Sequence, residues 1–280
     1  MKYEKLQESM IREYETALRE GEKSEATVDK YMRHIRQFVA EYAGRRIDKA
    51  LMLEYKAELG KTYAPASANG ALAAVNGFLR LWGWGDCCVK PFKVQKQVYC
   101  PEEKELSREE YVRLVKAAQE KSSERLALLL ESICATGIRV SELRYITVEA
   151  VARGEAVVHC KGKTRTVFLP AALQKKLRRY VQRKTLQSGP VFVTRTGKPL
   201  NRSNIWREMK ALCQRAKVAP SKVFPHSLRH LFARTFYSID HDVAKLADIL
   251  GHSNINTTRI YIITTGAEHR RKMETMGLVI

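Results

Sequence analysis

In the stretch FPHSLRHLFARTFY (224–237), His226, Arg229 and His230 stand three and four residues apart. On a helix that spacing puts two imidazoles and a guanidinium on one face. Pro225 suits a first helical turn, and Leu228, Leu231, Phe232 and Phe236 recur at helical spacing. Three more polar residues stand at breaks in the pattern. Arg139 follows Gly137 in CATGIRVSEL, where a long side chain can turn into a cleft. His252 follows LADILG, with Gly251 a natural C-cap, and Tyr261 ends the short helix of SNINTTRIYI. Singly, such residues are ordinarily a surface arginine, a satisfied histidine and a half-buried tyrosine. Together they form a kit for stabilising an anion.

Other chemistries are excluded by what the motifs lack. GKT at 162–164 resembles the end of a phosphate-binding loop, but the motif needs a glycine where Val157 stands. HSLRH has the paired histidines of a zinc helix without its glutamate, and Arg229 would repel a cation. No carboxylate cluster suits a pair of magnesium ions. The expected metal is none, and the expected cofactor none.

The elements that must position these groups are mostly helices. Residues 1–84 read as a helical domain, with Val28, Tyr31, Ile35, Phe38, Val39 and Tyr42 on one stripe, further helices over 48–59 and from Pro65 to about Gly83, and a stop at Gly44. Residues 85–105 lose this period and read as a basic linker carrying Lys90, Lys93 and Lys96. A second domain, 106–280, opens on the capping box of Ser107 and Glu110. Helices are predicted there over 107–121 and 123–135, then a hairpin over 155–170, a helix from Ala171, a short strand at VFVT (191–194), and helices over 203–217, 225–237, 242–250, 254–263 and 267–276. The fold class is mainly α, a helical domain followed by a helix-rich α+β domain with a small antiparallel sheet.

Charge names the partner class. The chain of 280 residues carries 50 Lys+Arg against 30 Asp+Glu, and residues 161–235 hold 19 basic residues against one acid, Glu208. So one-sided a run repels itself unless a polyanion lies against it, and releasing counterions from phosphates is the usual compensation. No apolar run approaches the roughly 20 residues that cross a bilayer. The first residues are too charged for a secretory signal, and six scattered cysteines without a CxxC pair read as reduced thiols. A cytoplasmic location, without membrane association, is expected.

The order of these elements, ATGIRVSEL, a KG-containing hairpin, HSLRH and then LGHSNINTTRIYI, resembles the successive motif boxes of the tyrosine recombinase (phage integrase) family over about residues 105–263. The resemblance implies a site-specific recombinase that cleaves and rejoins duplex DNA through a 3′-phosphotyrosyl link, without metal or ATP. It implies Arg139, Lys161, His226, Arg229, His252 and Tyr261 as the catalytic set, with Tyr261 as nucleophile. Lys163 competes with Lys161 because the hairpin box is one residue short, and Ser227 stands where the family commonly has an aspartate. His230 and Glu142 fit orienting roles.

By the same resemblance, 1–84 is a core-binding domain that clamps DNA together with 106–280. Double-stranded DNA is the partner, with Lys90, Lys93, Lys96, Lys163, Arg165, Arg202 and Lys222 as candidate contacts. A homotetramer on two DNA sites, weakly associated without DNA, is implied. The last helix docks either on a neighbouring subunit or on its own domain. Nothing before residue 20 suits an extra arm-binding domain, so the simple two-domain type is expected, encoded by a bacterium, phage or mobile element and acting at the nucleoid. A type IB topoisomerase shares the chemistry, and a catalytically silent DNA-binding protein is the other alternative.

Overall fold

The structure, a computed structural model, describes residues 8–94, 105–120, 123–160, 162–194, 196–261, 271 and 273–277. The chain forms two compact units, Met1–Lys96 and Gln97–Ile280. The first holds four helices: α1 (Glu8–Glu20), α2 (Glu25–Glu41), α3 (Lys49–Thr62) and α4 (Pro65–Leu81). The predicted stripe of α2 faces inward, with Val28, Ile35, Phe38 and Tyr42 almost fully buried, although Met32 takes a core place that Tyr31 and Val39 only flank. Asp48 caps α3 by accepting from the Leu51 amide at 2.8 Å, and Pro65 opens α4.

Residues 85–94 do not behave as a free linker. Asn76 on α4 brackets Val89, donating to its carbonyl at 2.8 Å and accepting from its amide at 3.1 Å. Asn69, two turns earlier, brackets Phe92 in the same way at 3.0 and 2.7 Å. A carboxamide presents a donor and an acceptor side by side, so it pairs with an extended backbone as a neighbouring strand would. Cys87 and Val89 join the helical core. The first unit therefore runs past residue 84, and the linker's opening is a strap tied to it.

The second unit contains α5 (Arg108–Glu120), α6 (Glu124–Thr136), a 3-10 turn (Val140–Tyr145), α7 (Val148–Arg153), the strands β1 (Glu155–Cys160) and β2 (Lys163–Phe168), α8 (Ala171–Arg183), α9 (Arg202–Lys210), α10 (Cys213–Ala216), α11 (Pro225–Asp240), α12 (Val243–Leu250) and α13 (Ile255–Arg259). The strands pair antiparallel from Glu155 opposite Phe168 to Cys160 opposite Lys163, around the turn at Gly162. Ser107 and Glu110 form the reciprocal cap of α5 at 3.2 and 2.9 Å.

Two expectations are corrected. VFVT forms no strand among the described residues: Val191 and Phe192 are buried, but only isolated bridges, Thr147 to Pro190 and Val193 to Pro199, flank them. Each bridge ends on a proline, which has no N–H to extend a ladder. The single helix expected over 203–217 is broken after Lys210, where Leu212 turns into the core and its amide takes the tighter bond to Met209. The helix expected over 267–276 falls mostly outside the described residues.

Candidate active site

Arg139 lies three residues beyond the last residue of α6. Gly137 ends that helix in the left-handed conformation (φ +64°), and a Cβ there would sit 2.5 Å from the Phe232 ring. Only glycine meets both demands. Arg139 then caps the 3-10 turn and receives the Glu142 carboxylate twice, its amide donating to Oε2 and its Nη1 to Oε1, both at 2.9 Å. Its Nη2 donates to the Gly251 carbonyl at 3.1 Å.

Glu142 is 1% exposed and serves a second guanidinium, Arg165, at 2.6 Å. Burial pushes this carboxyl upward, but the Arg139 amide and the charges of Arg165 and Arg139 outweigh it and hold the group below the usual carboxylate range. One buried anion thus faces two cations.

Arg229, on the second turn of α11, is also 1% exposed, and its surroundings differ. Nη1 donates to the Gly137 carbonyl; Nη2 donates to the Leu250 carbonyl at 2.7 Å and to His252 Nε2 at 2.9 Å. These acceptors are the carbonyl ends of α6 and α12, the negative ends of two helix dipoles, together with an imidazole. Nε has no partner among the described residues. Burial, then the charge of Arg139, bring Arg229 down to about 10, which still leaves it fully charged at neutral pH. A buried cation whose acceptors here are carbonyls and a neutral imidazole is stabilised further by any anion that reaches it.

His252 accepts from Arg229 at Nε2, so its Nδ1–H donates to the buried Thr258 hydroxyl at 2.9 Å. Burial and the guanidiniums of Arg229, Arg139 and Arg165 lower it to about 4, and the neutral ring fits that pattern. Tyr261 is 5% exposed, and its hydroxyl lies 3.2 Å from His226 Nε2. Its ring packs on His230 (centroids 4.2 Å apart) and stacks on His252 (5.4 Å, 24°). His226 stands open to solvent at the start of α11, where partial dehydration and then Arg229, Arg202 and Arg139 keep it below the ordinary imidazole value. His230 is lowered to about 4, chiefly by burial.

Of the predicted catalytic residues, Arg139, His226, Arg229, His252 and Tyr261 come together; Lys161 lies outside the described residues. Lys163 donates to Ser253 Oγ at 2.9 Å, beside His252. Among the candidate DNA contacts, Lys90 and Lys93 are exposed on the strap, Arg202 is exposed at the start of α9, and Lys96 lies outside the described residues. Two further candidates have partners within the chain. Lys222 is ion-paired to Glu110 at 3.0 Å, both side chains largely covered, and Arg165 is spent on Glu142 and on the Ile249 carbonyl at 2.8 Å. Thr258 was not foreseen; its only signal in sequence is its place three residues before Tyr261. Among the described residues no group of three His, Cys, Asp or Glu side chains could hold a metal ion, and no helix is long and apolar enough to cross a membrane.

The model of the phage integrase family matches residues 104–267. The tyrosine recombinase XerA of Thermococcus kodakarensis is 31% identical over 97% of this chain and 96% of its own length. The tyrosine recombinase XerD of Staphylococcus saprophyticus is 35% identical over 51% of each chain. Among solved structures, XerH site-specific recombinase bound to difH substrate superposes with a TM-score of 0.70 at 20% identity, covering 98% of this chain and 85% of that one. A lambda integrase dimer bound to a COC′ core site superposes with a TM-score of 0.74 at 17% identity, covering 93% and 77%.

Proposed function

This chain belongs to the phage integrase family and is a site-specific tyrosine recombinase, and on that premise we propose that Tyr261 is the residue that breaks and carries the DNA strand. Its phenolic oxygen attacks a backbone phosphorus; the bond to the 5′-oxygen breaks, leaving a 3′-phosphotyrosyl link and a free 5′-hydroxyl. A phenol of pKa about 10 is almost wholly protonated at neutral pH, and ionising it unaided costs roughly 4 kcal/mol. His226 Nε2, 3.2 Å away on a ring kept neutral by its surroundings, accepts that proton. The lysine of the hairpin, Lys161 or its neighbour Lys163, returns a proton to the departing oxygen.

The developing five-coordinate phosphorus spreads negative charge over its oxygens, and Arg139 and Arg229 supply the compensating charge from fixed positions. The observation that carries the reading is Arg229: a fully buried guanidinium beside the tyrosine, served by carbonyls and an imidazole and by no carboxylate among the described residues. His252 turns its ring toward the same centre. The phosphotyrosine keeps the energy of the broken bond, so a new 5′-hydroxyl reseals it without ATP.

The partner in this proposal is duplex DNA, met by the basic 161–235 segment and by Lys90 and Lys93 on the strap of a core-binding first unit. A homotetramer on two sites completes strand exchange, and the cytoplasm, where such DNA lies, is the place of action. Tyr261→Phe is expected to bind duplex with unchanged affinity and to form no covalent adduct on a nicked suicide substrate. A retained adduct removes Tyr261 from the mechanism.

A further inference from the structure

Arg165 sits on β2 opposite Val158, in the middle of the hairpin. Its two terminal nitrogens leave the sheet in different directions. Nη2 reaches the buried Glu142 carboxylate at 2.6 Å, whose other oxygen grips Arg139; Nη1 reaches the Ile249 carbonyl at 2.8 Å, in the last turn of α12. That turn also offers the Leu250 carbonyl to Arg229 and the Gly251 carbonyl to Arg139, and His252 follows it. The turn lies directly on Arg165: a Cβ at position 251 would come within 2.5 Å of Arg165 Cδ. One side chain therefore joins the hairpin, the carboxylate behind Arg139 and the turn that leads to His252.

We infer that Arg165 is a positioning residue for strand cleavage, aligning these three elements rather than contacting a DNA phosphate. The inference rests on the cleavage chemistry proposed above. A planar fork suits the task, because its two terminal nitrogens hold two separate acceptors in fixed directions, whereas an ammonium donates from one nitrogen on a flexible stem.

The full chain on a nicked suicide duplex tests it, with adduct formation followed at saturating DNA. Arg165→Gln is expected to lower the rate constant about 10- to 100-fold, since misplacing a reacting group by about 1 Å can cost about 100-fold. Adduct amplitude, DNA affinity and the slope of log affinity against log salt are expected to stay unchanged. Arg165→Lys keeps the charge but loses the fork, and is expected to be as slow to within about threefold. A phosphate contact gives the opposite pattern: an unchanged saturated rate, weaker binding, a salt slope shallower by about one, and recovery with lysine. That pattern overturns the inference. So does a fall in amplitude at an unchanged rate constant, the mark of a partly folded preparation. If Arg165→Gln does not fold, Arg165→Lys decides alone, a normal rate constant being fatal. Tyr261→Phe run alongside keeps the two readings apart, since an adduct on that variant defeats the cleavage assignment whatever Arg165 does.

Discussion

The two units bury polar atoms for different ends. In the first, Asn76 is the buried polar side chain of the core among the described residues, and both ends of its amide are matched by backbone at Val89. In the second, Glu142, Arg229, Ser132, Thr136, Ser227 and Thr258 are buried, and one of the two charges, Arg229, has no opposite charge to itself among the described residues. A polar group that serves architecture is closed within the chain. One proposed to serve chemistry is left without a charge partner inside the chain, and the rest of the fold holds it against its own cost. Within the second unit the same split recurs, since Glu142 closes the Arg139–Arg165 side while Arg229 stays open.

The strongest way to break this contrast is to open the closed side. Glu142→Gln leaves two guanidiniums facing a neutral amide, and a loss of about 3–5 kcal/mol of stability is expected in urea unfolding. The sign with pH follows from the depressed carboxyl. Its contribution is present above the unfolded value of about 4.3 and is lost as pH falls through the lower folded value. The unaltered protein is expected to show this acid limb, and the variant to lack it. Next comes the open side. Arg229→Lys keeps a charge but not the planar fork that donates from two separate nitrogens, and cleavage is expected to slow about 100- to 1000-fold with DNA affinity nearly unchanged. A rate within about threefold of normal would mean that charge alone suffices there. The smallest effect belongs to the first unit. Asn76→Ala leaves the Val89 amide and carbonyl unmatched, for an expected loss of about 1–3 kcal/mol. Hydrogen exchange at the strap is expected to quicken, with the rate constant for cleavage at saturating DNA unaltered.

Much of the site was legible because its signals are local. Gly137 before Arg139, Gly251 before His252 and the 226–229–230 spacing each announce a break or a face within a few residues. What was missed depends on pairing across the chain. Counting cations over 161–235 cannot separate those facing outward from those spent inside, and Arg165 and Lys222 find their acids 23 and 112 residues away. The strap escaped for a related reason: Pro91 and the lysines at 90 and 93 read as linker, while the residues that hold the segment, Asn69 and Asn76, look like ordinary helix positions. VFVT has the composition of a strand, but prolines on either side end the pairing that composition alone cannot count.

Position 251 carries a consequence for how such a chain can drift over generations. Its backbone demands a residue without a side chain, and the space where a methyl would go is filled by the stem of Arg165. Enlarging one therefore requires trimming the other, and trimming the other unhooks the hairpin from Glu142. Relatives that bear alanine at the first position are expected to bear something shorter than arginine at the second, and to have found another hook.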